Sequence, residues 1–194
     1  EMSASLVGSE MCIRDRLNTV YFQIDESNKA PRRTLEMISE LLRYQLYGGN
    51  QKVSILQEID YLKTYIALRK LRMSERLRLR VEFPPELNEL NIYPLLFLPL
   101  VENAFKYVGG DYQLDIIMKW ENNRISLFIR NSIPELSAED EALRKSVDER
   151  QRKGIGLVNL RRRLSLLYPN KHRLETRKEE TEFVAELMIE IEDI

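Results

Sequence analysis

The spacing of apolar residues changes period once along the chain. From Leu17 to about Ser74 they recur every three or four positions, and beyond Ser74 they alternate. Pro31 stands where a first-turn proline starts a helix; Leu35, Ile38, Leu42 and Leu46 follow on one face, and Gly48-Gly49 ends the run. Ser54 is placed to cap a second helix, with Gln57 as its capping-box partner, and Ile55, Ile59, Leu62, Ile66 and Met73 line one face to about Ser74. A Gly-Gly-Asn link makes the pair an antiparallel hairpin.

After Ser74, Leu77, Leu79, Val81 and Phe83 alternate with charged residues, which predicts a half-buried strand ended by Pro84-Pro85. A second domain begins here. Pro94 to Val108 is too long and apolar for a strand and predicts a buried helix; Tyr112 to Trp120 and Arg124 to Asn131 predict two strands joined at Glu121-Asn122-Asn123. Glu135 to Lys153 is charged and nearly free of apolar residues, a loop or lid, whereas Leu157, Leu160, Leu164 and Leu167 share one face of a helix. Arg173 to Arg177 and Glu182 to Ile191 close the chain as a hairpin. The predicted fold class is α+β: a helical hairpin followed by an α/β sandwich with helices on one face of a mixed sheet.

The first 16 residues, EMSASLVGSEMCIRDR, have neither period, nor the apolar core of a secretory signal. They resemble a translated sequencing adaptor, with a flexible native leader as the alternative, and the expected division is a non-native leader at 1–16, a helical part at 17–74 and an α/β domain at 75–194. Composition excludes several classes. Thirty basic against 31 acidic residues leave a net charge of −1, so nothing in the balance argues for nucleic acid. One cysteine, Cys12, and one histidine, His172, exclude an internal disulfide and argue against a zinc site. The longest apolar run, Tyr93 to Val101, contains Pro94 and Pro99 and falls short of the ~20 residues of a spanning helix.

Three stretches carry candidate chemistry. Glu102, Asn103 and Lys106 fall within one turn of the predicted helix 94–108, either as an ordinary solvent edge or facing something polar such as a metal and phosphates. Gly154-Ile155-Gly156 opens the leucine-periodic helix; glycine there either meets a conformational need or lets a phosphate approach unpaired N–H groups. Arg161-Arg162-Arg163 cannot share one helix face, so a solvated face accounts for at least two of them. Among the aromatic residues, Trp120, Tyr61, Tyr65 and Tyr112 read as core, and Tyr107 adjoins the polar cluster.

Taken together, Pro94-Leu-Leu-Phe-Leu-Pro-Leu-Val-Glu-Asn-Ala-Phe-Lys-Tyr107, Asn131-Ser132 and Lys153-Gly-Ile-Gly-Leu-Val-Asn-Leu-Arg-Arg-Arg-Leu-Ser-Leu-Leu-Tyr-Pro169 resemble the sensor histidine kinases of the LytS type, whose ATP-binding part has the GHKL fold. Leu41-Leu42-Arg43-Tyr44 and the helix from Glu58 to Met73 precede them in the same order. The resemblance implies that Asn103 coordinates Mg²⁺ beside the acidic Glu102, these two forming the catalytic pair. It further implies that Lys106 contacts phosphate, that Tyr107 lies near adenine, that Asn131 accepts from the adenine amino group, and that Gly154 and Gly156 close over the triphosphate. An amide oxygen with phosphate oxygens suits Mg²⁺, which takes oxygen ligands and keeps waters.

Two departures stand out. Where the family has an aspartate followed by Gly-x-Gly, this chain has Asn131-Ser132-Ile133-Pro134. The family's phosphoacceptor histidine aligns with Met11, and His172 reads as an ordinary surface residue. The implied protein is the cytoplasmic C-terminal part of a two-component kinase and a homodimer. It uses ATP and Mg²⁺, passes phosphate to the receiver domain of a response regulator, and meets a membrane only through segments outside this chain. The alternative is a non-catalytic nucleotide-binding module that acts by holding a partner.

Overall fold

The computed structural model describes residues 15–47, 51–85, 87, 90–134 and 155–191. Residues 15–23 are helical and end at a turn in which Asp25 accepts from the Ser27 amide and hydroxyl at 2.8 and 2.6 Å. Helix α1 then runs Lys29–Tyr47, with Pro31 in its first turn. Strand β1, Val53–Ser54, leads into α2, Ile55–Lys70, where Ser54 and Gln57 complete the capping box. The helix stops at Lys70, short of the expected Ser74.

Helices α1 and α2 pack antiparallel. Tyr44 stacks on Tyr61 with ring centroids 4.7 Å apart, and farther along Thr64 donates to Glu40. On α1, Leu41 alone is buried, while Leu35, Ile38 and Leu42 are half-buried and Leu46 is exposed. By contrast, Ile55, Ile59, Leu62 and Ile66 of α2 are buried in the same cluster as the sheet that follows.

Strand β2, Arg78–Glu82, pairs parallel with β4, Gln113–Glu121; β5, Arg124–Ser132, β7, Glu182–Glu190, and β6, His172–Lys178, add antiparallel. The order β2-β4-β5-β7-β6 makes a mixed sheet, and β3, Asn91–Ile92, pairs only with β1 in a small second sheet absent from the sequence expectation. Leu114, Ile116, Met118, Ile125, Leu127, Ile129, Ala185, Leu187 and Ile189 alternate inward, and helices cover that face. Helix α3, Leu98–Tyr107, lies over β4 and β5, and α4, Ile155–Leu167, over β6, with Leu160 and Leu164 buried. Outside, Asp115 is nearly buried and takes both guanidinium bonds of Arg130, its partner across β4 and β5, at 3.0 and 2.6 Å.

Two further boundaries differ from expectation for local reasons. The helix expected from Pro94 begins at Leu98, because Leu95 has φ +58° and cannot continue a helix; Pro99 occupies the first turn, where its missing N–H costs nothing. The β4–β5 turn is two residues, not three: Glu121 pairs with Arg124, and Asn122 and Asn123 take φ of 51° and 59°, as a primed turn needs. The expected lid, Glu135 to Lys153, and the leader up to residue 14 lie outside the described residues.

Candidate nucleotide site

Helix α3 sorts its polar residues by direction. Asn103 is half-buried, Lys106 and Tyr107 are exposed, and the Lys106 ammonium lies 5.1 Å from the Tyr107 ring centre. Glu102 is exposed as well but looks towards α2, where partial burial pushes its carboxyl up and Arg69 opposes this. The Arg69 guanidinium sits 5.7 Å from the Phe105 ring centre, with its Nε buried and unpartnered. Glu102 and Asn103, adjacent in sequence, therefore address different surroundings, since successive helical residues point about 100° apart.

Asn131 is completely buried at the end of β5, on the helix-covered face of the sheet. Its Nδ2 donates to the Ser132 carbonyl at 3.2 Å, and its Oδ1 has no hydrogen-bond partner among the described residues. A buried carbonyl without a donor is costly, so this orphan marks a place where a donor belongs. Ser132 clamps the end of β5 to the chain leaving α3. Its hydroxyl donates to the Gly109 carbonyl at 2.6 Å and accepts from the Gln113 amide at 2.9 Å, while its carbonyl accepts from the Gly109 amide at 3.0 Å.

Gly109 and Gly110, which follow α3 after Val108, are packed closely against Ile133 and Pro134. A Cβ on Gly109 would lie 2.9 Å from Pro134 Cδ, and Gly110 has φ +61° with Ile133 O 3.0 Å from its would-be Cβ. Sequence reasoning missed this pair. Its signal is the Gly-Gly one residue past α3, facing a proline that is distant in sequence but lies just beyond the end of β5.

Gly156, the second residue of α4, is exposed, and a Cβ there meets nothing within 4 Å. Packing within the described residues thus does not require glycine at this position. Gly154 lies outside the described residues. Of the three arginines, Arg161 donates to the Leu174 carbonyl at 2.9 Å and Arg162 is exposed, whereas the half-buried Arg163 faces Glu58. His172 opens β6, and its Nδ1–H donates to the Tyr168 carbonyl at 2.7 Å.

The structure brings the end of α3, with Lys106 and Tyr107, against the end of β5, with Asn131, and packs α4 against α3. Among the described residues, no three His, Cys, Asp or Glu side chains gather to hold a metal. Asn103 with nucleotide phosphates is a set that fits Mg²⁺ only when nucleotide supplies the remaining oxygens. Glu58 was also missed; a carboxylate inside the apolar face Ile55, Ile59, Leu62 was its visible sign.

The family model described as Histidine kinase matches residues 13–77. Among curated relatives, the sensor protein kinase HptS of Staphylococcus aureus is 26% identical over 163 residues, covering 81% of this chain and 32% of the relative. The chain thus spans about a third of the length of the curated relatives it matches. The histidine kinase domain of a blue-light activated histidine kinase from Erythrobacter litoralis superposes with a TM-score of 0.51 at 12% identity, over 95% of this chain and 94% of that one. Full-length ShkA, crystallised in complex with AMPPNP, gives 0.50 at 14% identity, over 97% of this chain and 46% of that one. At these identities the structural likeness is one of fold. By family model and curated relatives the chain is similar to the sensor histidine kinases, and its fold is the GHKL-type fold of histidine kinase catalytic domains.

Proposed function

We propose that the chain is the dimerising and ATP-binding part of a LytS-type two-component kinase. The observation that carries this reading is the unpartnered Oδ1 of the fully buried Asn131, beside the end of α3. An adenine amino group is the donor that such a carbonyl lacks. Tyr107 offers an exposed ring at the end of α3, Lys106 a cation for phosphate, and the start of α4 an open backbone at Gly156. Asn103 would hold Mg²⁺, which when bound neutralises the charge gathering on the phosphate oxygens.

In the reaction proposed, the γ-phosphorus loses its bond to the bridging oxygen, whose electrons leave on ADP, and gains a bond to an imidazole nitrogen as the ring releases its proton. The phosphoryl group then moves from nitrogen to a carboxylate oxygen of a response-regulator aspartate. The chain's contribution is positioning and charge neutralisation rather than covalent chemistry. The half-buried Leu35, Ile38 and Leu42 with exposed Leu46 on α1 support a homodimer, and a membrane anchor would belong to the longer protein. No helix among the described residues is long and apolar enough to cross a membrane.

One observation favours a second reading, a nucleotide-binding module without kinase activity of its own: the only histidine, His172, sits on β6 with its ring bonded to backbone. Calorimetry of the folded chain with ATP and Mg²⁺ tests both. Saturable binding is expected; no heat and no thermal shift at millimolar nucleotide overturns the ATP site.

A further inference from the structure

Glu58 has no exposed surface, yet it is a carboxylate inside an apolar helix face. Its Oε2 accepts from the Tyr44 hydroxyl of α1 at 2.6 Å and from the Leu95 amide at 2.9 Å, and its Oε1 is buried without a partner. Tyr44 is fixed in turn by stacking on Tyr61, whose hydroxyl accepts from Gln45 at 2.7 Å. Leu95 has φ +58°, a left-handed conformation in which a side chain crowds its own backbone. It lies three residues before α3, and the Tyr93 amide at the start of the same turn donates to the Tyr168 hydroxyl at 3.2 Å.

A carboxylate kept only for stability would have its lone pairs satisfied, and an apolar residue of similar volume would serve the core at least as well. Here one oxygen makes no hydrogen bond, although the Phe97 amide faces the carboxylate, and the other holds a strained turn at the entry to the helix that carries Asn103 and Lys106. Strain that neighbours must hold in place is characteristic of functional positions. We propose that Glu58 is a positioning residue for the nucleotide site: it ties Tyr44 of α1 to the Leu95 turn that sets where α3 begins, and so couples the placement of α1 to nucleotide occupancy. The inference rests on the Mg-ATP reading. Coupling of this kind is reciprocal, so nucleotide that orders α3 also strengthens the hold on α1.

The test uses the full chain and three variants, Tyr44→Phe, Glu58→Gln and Glu58→Leu. Amide hydrogen exchange is followed without nucleotide, melting temperature is recorded, and AMPPNP with Mg²⁺ is titrated per folded molecule. In Tyr44→Phe, exchange at Leu95 is expected to quicken roughly tenfold or more while Ile116, Ile129 and Leu187 keep their rates, and AMPPNP affinity to fall about three- to tenfold. Glu58→Gln, which retains an acceptor for the Leu95 amide, should hold that exchange nearer the wild-type rate than Glu58→Leu does. Unchanged Leu95 exchange in Tyr44→Phe, or faster exchange with unaltered AMPPNP affinity, overturns the positioning role. A wild-type chain that binds no AMPPNP overturns the Mg-ATP reading instead, and the tie between α1 and the turn then stands or falls on Leu95 exchange alone.

Discussion

The Ser132 hydroxyl donates to the Gly109 carbonyl at 2.6 Å, so the end of β5 and the exit from α3 move as one piece. That bond places buried Asn131 and exposed Tyr107 on two sides of a single junction. It also explains the two glycines that follow the helix, since no side chain fits where the two segments meet.

Gly109→Ala is expected to destabilise the chain by about 1–3 kcal/mol, because the new methyl meets the ring of Pro134, which the backbone holds and cannot swing aside. Gly156→Ala is expected to leave stability unchanged or raise it by up to about 1 kcal/mol, since the site is open and alanine favours helix. Urea unfolding of both variants checks this. Equal losses would mean that Gly156 is also under packing constraint.

Asn131→Leu removes the orphaned Oδ1 at similar volume and should leave the nucleotide-free protein within about 1 kcal/mol of wild type. ATP affinity should fall roughly tenfold, the equivalent of 1.4 kcal/mol. Thermal melts and calorimetry separate the two effects. A large loss of stability with unchanged affinity would make Asn131 a core residue and nothing more.

Asn103→Ala should weaken Mg²⁺-dependent ATP binding by about tenfold or more while melting without nucleotide stays close to wild type, because Asn103 is only half-buried and adds little to the core. Titration with Mg²⁺ alone should give no binding in either protein. Affinity that does not depend on Mg²⁺, in wild type and variant alike, removes the metal from the reading.

The buried Glu58 carboxyl is pushed up by burial; the Tyr44 hydroxyl, the Leu95 and Phe97 amides and Arg163 oppose this without cancelling it. The folded state therefore holds this proton more tightly than the unfolded chain, where glutamate titrates near 4.3. Stability from this group is fully present below that value and is lost as pH rises through the folded value. Tyr44, Tyr61 and Tyr168 also face Glu58, but their hydroxyls are pushed up, Tyr61 to about 12, so they stay neutral in this range. Wild type should lose stability relative to Glu58→Gln as pH is raised from 4 towards neutrality. Parallel stability curves for the two proteins would contradict this.

With γ-labelled ATP, the chain as it stands is expected to acquire no acid-labile, base-stable label, because His172 is bound to the Tyr168 carbonyl at the start of β6 and no other histidine exists. Label that disappears in His172→Gln would reverse this assignment.

Local patterns were legible without tertiary information. The Ser54 and Gln57 cap, the leucine face of α4 and the alternation of β4, β5 and β7 depend on neighbours within a few residues, and the structure repeats them nearly to the residue. Helical spacing likewise put Glu102, Asn103 and Lys106 on one turn, and the motif order pointed to the histidine kinases. Other features depend on what the chain meets after it folds. The start of α3 follows from the Leu95 turn, which Glu58 holds from 37 residues away in sequence. The surroundings of Glu102 include Arg69 on a different helix, and the need for glycine at 109 follows from Pro134 just beyond the end of β5. Whether Asn131 is satisfied depends on every group that could reach it. Periodicity reports which face of an element is apolar; it carries no record of which distant polar group lies opposite, and only the packed structure decides that.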